Sequence, residues 1–251
     1  MNFYVNFRFF KKMIKMSQEH YQTKLEILEA LPKDLIKKPD LPIDTAIQEA
    51  ENRYVWAKQD ADILVKQINF DWIGCGEDLI VRAGALRYAQ SLWEQERKSI
   101  GEAKKLWKEK ALIALALRGE LLAAFKYAYH NRNDLLSILK TISKGKKNTD
   151  VIQDLSDLST LGANNTKELK VINFDINKLE KAALLSKEMA TLLAKANAET
   201  LKNSTVKDIR NRAYIHLKEA MDALSRAGKY VFKDNPDRFK GYINQYYKKK
   251  R

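Results

Sequence analysis

Apolar residues recur along most of this chain at steps of three and four, the spacing of one face of an α-helix. The first long series is Ile47, Ala50, Tyr54, Ala57, Ala61, Leu64 and Ile68. It predicts one helix about 40 Å long at about 1.5 Å per residue, with Asp44 as its N-cap. Trp56 and Val65 broaden the stripe, as a helix touching more than one neighbour requires. Gly74 and Gly76 predict a turn. A second helix over 77–99 then presents Leu79, Ala83, Leu86 and Trp93, with Val81, Ala85, Tyr88 and Leu92 beside them.

Ser99-Ile100-Gly101 reads as a break. A third helix, 103–129, sets Ala103, Leu106, Ala114, Leu117, Leu121, Ala124 and Ala128 inward. Its A-L-I-A-L-A-L segment is far shorter than the roughly 20 apolar residues of a membrane span. Lys108, Glu109 and Lys110 precede it and Arg118 and Glu120 follow, so it reads as a core turn. Asn133 would cap a short helix carrying Leu135, Ile138, Leu139 and Ile142. Lys144 to Thr149 is the clearest linker. It opens a crossover, 144–171, holding a small amphipathic helix with Val151, Ile152, Leu155, Leu158 and Leu161.

Asp175 is positioned to cap a fourth long helix with a seam of Ile176, Leu179, Ala183, Ser186, Ala190, Leu193, Asn197 and Thr200. The fifth opens at Thr205, which with Asp208 resembles a capping box. It faces Ile209, Ala213, Leu217, Ala220, Leu224, Ala227 and Val231 inward. Asn235 and Pro236 take the N-cap and first position of a short last helix, the place proline prefers. The fold predicted is an all-α bundle of about four to five long helices. Setting Lys110-Ala111 on Arg212-Ala213 brings Asn133 onto Asn235, so that two hairpins, 44–143 and 172–247, each end in a restarted helix. Internal duplication and the general likeness of amphipathic hairpins both account for that match.

The N-terminal sixteen residues, M-N-F-Y-V-N-F-R-F-F-K-K-M-I-K-M, lack the cleavage pattern of a secretory signal. They read either as a basic-aromatic surface anchor, which would suit a membrane-surface protein, or as upstream sequence from a misplaced start. The polar helix beginning at Met16-Ser17 favours the latter. Pro32, Pro39 and Pro42 mark an extended connection before the bundle. Residues 17–247 are expected to form one domain, with 248–251 as a basic tail.

Net charge is +14, a balance that can attract nucleic acid or anionic surfaces. Four of the positive charges lie in residues 1–16 and four in the tail, while the interior charges are interspersed as on solvated helix faces. Cys75 is the sole cysteine. It excludes an intramolecular disulfide and multi-cysteine metal sites, and fits a reducing, cytoplasmic setting. With only His20, His130 and His216, the Glu-x-x-His pairs of di-iron bundles cannot form. No zinc-protease, phosphate-loop, dinucleotide or nucleophile-elbow pattern occurs. No catalytic residue, cofactor or metal is expected.

The chemistry concentrates at the C-terminus. Tyr230, Phe232, Phe239, Tyr242, Tyr246 and Tyr247, with Arg238, Lys248, Lys249, Lys250 and Arg251, form a candidate interaction surface of the kind aromatic and arginine residues favour. Docking of the short helix on its own bundle is the plainer account of the same aromatics. The resulting reading is a non-enzymatic structural or protein-interaction module, associating with itself or with another helical protein. The alternative is a nucleic-acid accessory protein using the basic-aromatic tail, which mixes stacking rings with phosphate-neutralising charge. The strings A-Y-I-H-L-K-E-A and G-K-Y-V-F, with R-F-K-G-Y, over residues 213–242, resemble an uncharacterised, wholly helical family of bacterial proteins. That resemblance implies an all-α fold and no activity, ligand or catalytic residue.

Overall fold

The computed structural model describes residues 2–145, 147–201, 205–244 and 246, with the helical backbone alone for 2–14 and 198–201. The chain is all-α. Its helices are α1 Asn2–Ala30, α2 Ile43–Ala57, α3 Ala61–Ile68, α4 Asp78–Ala128, α5 Asn133–Ile142, α6 Asn148–Asn164, α7 Thr166–Val171, α8 Asn177–Leu201, α9 Thr205–Val231 and α10 Pro236–Phe239. They group into two compact units, Met1–Glu96 with Asn203–Arg251, and Arg97–Lys202. The division falls inside α4 and again after α8.

Unit 1 is built on α9. This helix packs against α1, α2, α3 and the turn before α4. All of its expected inward positions are buried except Val231, which is partly so. Leu28, Leu64, Leu79, Leu86, Leu217 and Leu224 are fully enclosed. The expected single helix from Asp44 to Ile68 is interrupted by a 3-10 turn, Lys58–Asp60, where Asp60 turns inward and is buried. Pro42 rather than Asp44 stands at the start of α2, and the Asp44 carboxylate accepts from the next backbone N–H at 2.8 Å. Asn69 ends α3 with a φ of 48°, the left-handed conformation asparagine tolerates better than most residues. A π-helical turn, Trp72–Glu77, follows, with the Gly74 amide donating to Asp71 Oδ1 at 2.9 Å.

The expected break at Ser99-Ile100-Gly101 is absent, and α4 runs 51 residues without interruption. A glycine in a helix interior costs only about 1 kcal/mol, and the buried Ile100 and Ala103 on either side of Gly101 gain more than that by packing. Leu106, expected inside, is exposed, and Ile138 of α5 likewise.

Unit 2 closes around the C-terminal part of α4, α5, α6, α7 and α8. Here α6 is no mere crossover: it lies along α8, with Leu155 and Leu158 fully buried. Its start is fixed by Asp150, whose carboxylate accepts from the Lys147 backbone N–H at 2.8 Å. The inward face of α8 is turned from the expected seam. Leu179, Ala182, Leu185, Ser186, Met189 and Ala196 are buried, and Ala183 and Ala190 are exposed. Alanines occur in both registers, and burying Leu185 and Met189 removes far more apolar surface than burying two alanines.

Candidate interaction surface

The C-terminal segment after α9 behaves as a latch on unit 1. Asn235 caps α10, its side-chain oxygen accepting from Arg238 N–H at 3.2 Å, with Pro236 at the first helical position. The next turn delivers Tyr242 into the core, where it is fully buried and stacks on the buried Phe232 with ring centroids 5.8 Å apart. The Tyr242 ring lies against the Gly228 backbone, in the space that a Cβ there would occupy. Tyr242 donates its hydroxyl to Asp60 Oδ2 at 2.6 Å. Burial, reinforced by that hydrogen bond, pushes the phenol's pKa well up, so the group stays a donor.

Asp60 also receives Arg238, with Nη2 at 2.5 Å and Nε at 3.1 Å. The same guanidinium lies 4.5 Å from the Trp56 ring centroid and donates to the Trp56 carbonyl at 3.1 Å. Trp56 Nε1–H donates back to the Arg238 carbonyl at 3.2 Å. Beneath, the buried Arg53 donates to the Tyr242 carbonyl at 3.0 Å and to the Ser225 hydroxyl. The Tyr246 backbone N–H donates to Glu49 Oε1 at 3.2 Å.

Of the residues expected to form an interaction surface, Phe232 and Tyr242 are therefore interior. Arg238, Phe239 and Tyr246 are half-buried against the unit. Among the described ones, only Tyr230, 69% exposed, faces outward. Tyr247, Lys248, Lys249, Lys250 and Arg251 lie outside the described residues. The correction has a physical cause: Asp60, a buried acceptor 178 positions from Arg238, draws the arginine and the phenol inward. Sequence reasoning missed Asp60, although Gly228 inside a long amphipathic helix was a usable sign of the close approach made by Tyr242.

A second polar cluster braces the same unit. Asp78, at the start of α4, receives Lys24 Nζ at 2.5 Å and Arg82 Nε at 2.7 Å. Arg82 also donates to the carbonyls of His216 at 2.7 Å and Gly74 at 3.0 Å. Burial pushes the Asp78 carboxyl up, but the hydrogen bonds from Lys24 and Arg82 hold it below its ordinary range. Burial, with Arg82 and Lys24 adding repulsion, lowers His216 to about 4, so its imidazole is neutral near pH 7. Burial raises the Cys75 thiol, which leaves little thiolate for nucleophilic chemistry. Among the described residues no group of three or more His, Cys, Asp and Glu is arranged to hold a metal ion. No helix among them is long and apolar enough to cross a membrane.

Among the described residues, a run of outward apolar side chains lies on α4 in unit 2. Its core face is Ala114, Leu117, Leu121 and Phe125, all buried. On the opposite face stand Leu112 (72% exposed), Leu115 (50%) and Tyr127 (71%), with Ile113 (50%) at one side. Ala116, Gly119 and Ala123, also exposed, fill the strip between Leu112 and Tyr127. The Tyr127 ring stacks on His130, centroids 6.3 Å apart. The A-L-I-A-L-A-L segment is thus only half a core element: it buries Ala114 and Leu117 and leaves Leu112, Ile113 and Leu115 exposed. No family model, curated protein or solved structure matches the chain.

Proposed function

We propose that this protein is a non-enzymatic helical module that acts by binding protein, either a second copy of itself or another helical chain. The observation that carries the reading is the apolar strip on α4, Leu112 to Tyr127, directed away from the core of its own unit. Contiguous exposed apolar surface of this kind marks interaction sites more often than isolated hydrophobic residues do. The polar clusters of unit 1 support the same reading from the other side. Asp60, Asp78, Arg238 and Arg82 spend their hydrogen bonds on neighbouring side chains of the unit and on backbone carbonyls, an arrangement that builds structure rather than one that converges on a substrate.

A photo-crosslinking amino acid in place of Ala116 tests it in cells. The expected result is a covalent adduct of defined mass containing protein. Absence of any protein adduct, together with a monomeric sedimentation profile up to near-millimolar concentration, would sink the reading.

A further inference from the structure

We propose that the occupant of the α4 strip is the same strip of a second copy, and that the two helices pair in parallel about a two-fold axis. This rests on the interaction reading above and goes beyond it by naming the partner and the geometry. The middle of the strip is small: Ala116, Gly119 and Ala123 alternate at steps of three and four, and an added Cβ at Gly119 would meet nothing within 4 Å. Small residues let two helix axes approach toward the short end of the usual 8–10 Å separation. Leu112 and Leu115 at one end and Tyr127 at the other supply the apolar area that such an approach would cover.

Charge selects the partner and its direction. At about 100° per residue, Lys108 and Lys126 lie roughly 40° to one side of Leu112. Glu102, Glu109 and Glu120 lie roughly 60–80° to the other side. All five are exposed, and Glu120 already meets Lys178 of its own unit. One face therefore carries both halves of a complementary pair. A two-fold axis parallel to the helices sets the basic edge of each copy against the acidic edge of the other, with Lys108 level with Glu109. An antiparallel two-fold pair would set like edge against like. Lys105 falls near the midline of the strip and ends the apolar contact on its N-terminal side.

The strip from Lys108 to Tyr127 is about 29 Å long and roughly 10 Å wide. That is less than the roughly 800 Å² per partner of a standard stable complex, so the dimer is weak and concentration-dependent. Cysteine cross-linking of the full chain tests the geometry, starting from Cys75→Ser and adding single cysteines by Leu112→Cys or Ala123→Cys. Each single variant should form its own disulfide dimer under mild oxidation, well above a Val171→Cys control on α7. Adding Ala116→Glu should cut the yield about tenfold, and Gly119→Lys should do the same if Ala116→Glu proves unstable. Dimers that appear only when the two single-cysteine proteins are mixed would overturn the parallel arrangement. No dimer at all would overturn the second copy. A foreign protein cross-linked at Ala116 would in that case leave the broader interaction reading standing.

Discussion

Unit 1 and unit 2 are both helical and similarly closed around leucine and aromatic side chains, yet they use polar groups in opposite ways. Unit 1 buries Lys24, Arg53, Asp60, Arg212 and His216, whereas unit 2 buries Asp154 and Ser186. The charges in unit 1 join stretches remote in sequence. Arg212 of α9 donates to the carbonyls of Leu28, Glu29 and Leu31 at the end of α1, and Asp60 holds Arg238 and Tyr242. A unit assembled from both ends of the chain needs contacts that reject wrong pairings, and a buried charge is satisfied in very few of them. Unit 2 is a continuous segment whose neighbours in sequence are neighbours in space. It needs little polar specification, and it keeps an apolar face outward.

The sharpest break in this comparison would come from removing one buried acid from each unit. Asp60→Ala leaves the Tyr242 hydroxyl and much of the Arg238 guanidinium without their acceptor, and should cost about 3–5 kcal/mol. Asp154→Ala removes a 2.6 Å bond from Arg118 Nε, but that guanidinium retains the Ser143 carbonyl at 3.2 Å. Its cost should be nearer about 2 kcal/mol. Urea denaturation of both variants decides the matter, and equal costs would erase the contrast.

Acid should loosen unit 1 first. His216 is held near 4 when folded against 6.5 for the free side chain. The unfolded chain therefore takes up a proton that the folded one refuses. Stability on this account is complete above about pH 6.5 and falls as pH drops toward about 4, by on the order of 2–3 kcal/mol at about 1.4 kcal/mol per pKa unit. Asp78 contributes in the same direction but lower, as pH falls through its depressed folded pKa. Amide exchange followed by segment should show protection lost in α1 and α9 before α6 and α8, and His216→Gln should flatten the dependence above pH 4.

Two glycine pairs refine the picture at smaller magnitude. Gly228 meets Tyr242 in unit 1, and Gly162 faces Leu179 and Phe125 in unit 2, where an added Cβ would stand 2.6 Å from both. Alanine at either should cost about 1–3 kcal/mol by overpacking, showing that both cores are close-fitted whatever their polarity. Gly101 and Gly119 of α4 have nothing within 4 Å. Alanine there should raise the thermal midpoint, each substitution gaining about 0.5–1 kcal/mol from helix propensity alone.

The periodic pattern was most informative where large apolar residues left no choice of face. On α9 the expected inward series is buried, with Val231 partly so, and Asn235-Pro236 starts α10 as its chemistry demands. On α8 two alanine-containing registers competed, and only the volume of the neighbouring core at Leu155 and Leu158 selected Leu185 and Met189. The candidate surface was legible as a concentration of aromatic and basic residues but not as a surface. Phe232 and Tyr242 acquired their interior positions from Asp60 and Gly228, neither of which a local pattern connects to them. The exposed strip on α4 was readable as residues and misread as core, because an apolar helical face does not itself say whether it is covered.

The sequence by itself determined the helices, their long amphipathic faces and most of their ends, since these depend on backbone propensity, capping and spacing within a few turns. Tertiary structure alone decided that α4 passes unbroken through Gly101, that α6 is a core partner of α8, and that two units form with their division inside α4. It also decided which aromatics are structural and which apolar residues stay outside. Those outcomes turn on contacts between residues up to 197 positions apart, as for Glu49 and the Tyr246 backbone N–H. Burial and hydrogen-bond partners are set by what the rest of the chain brings to a position, and no local spacing contains that information.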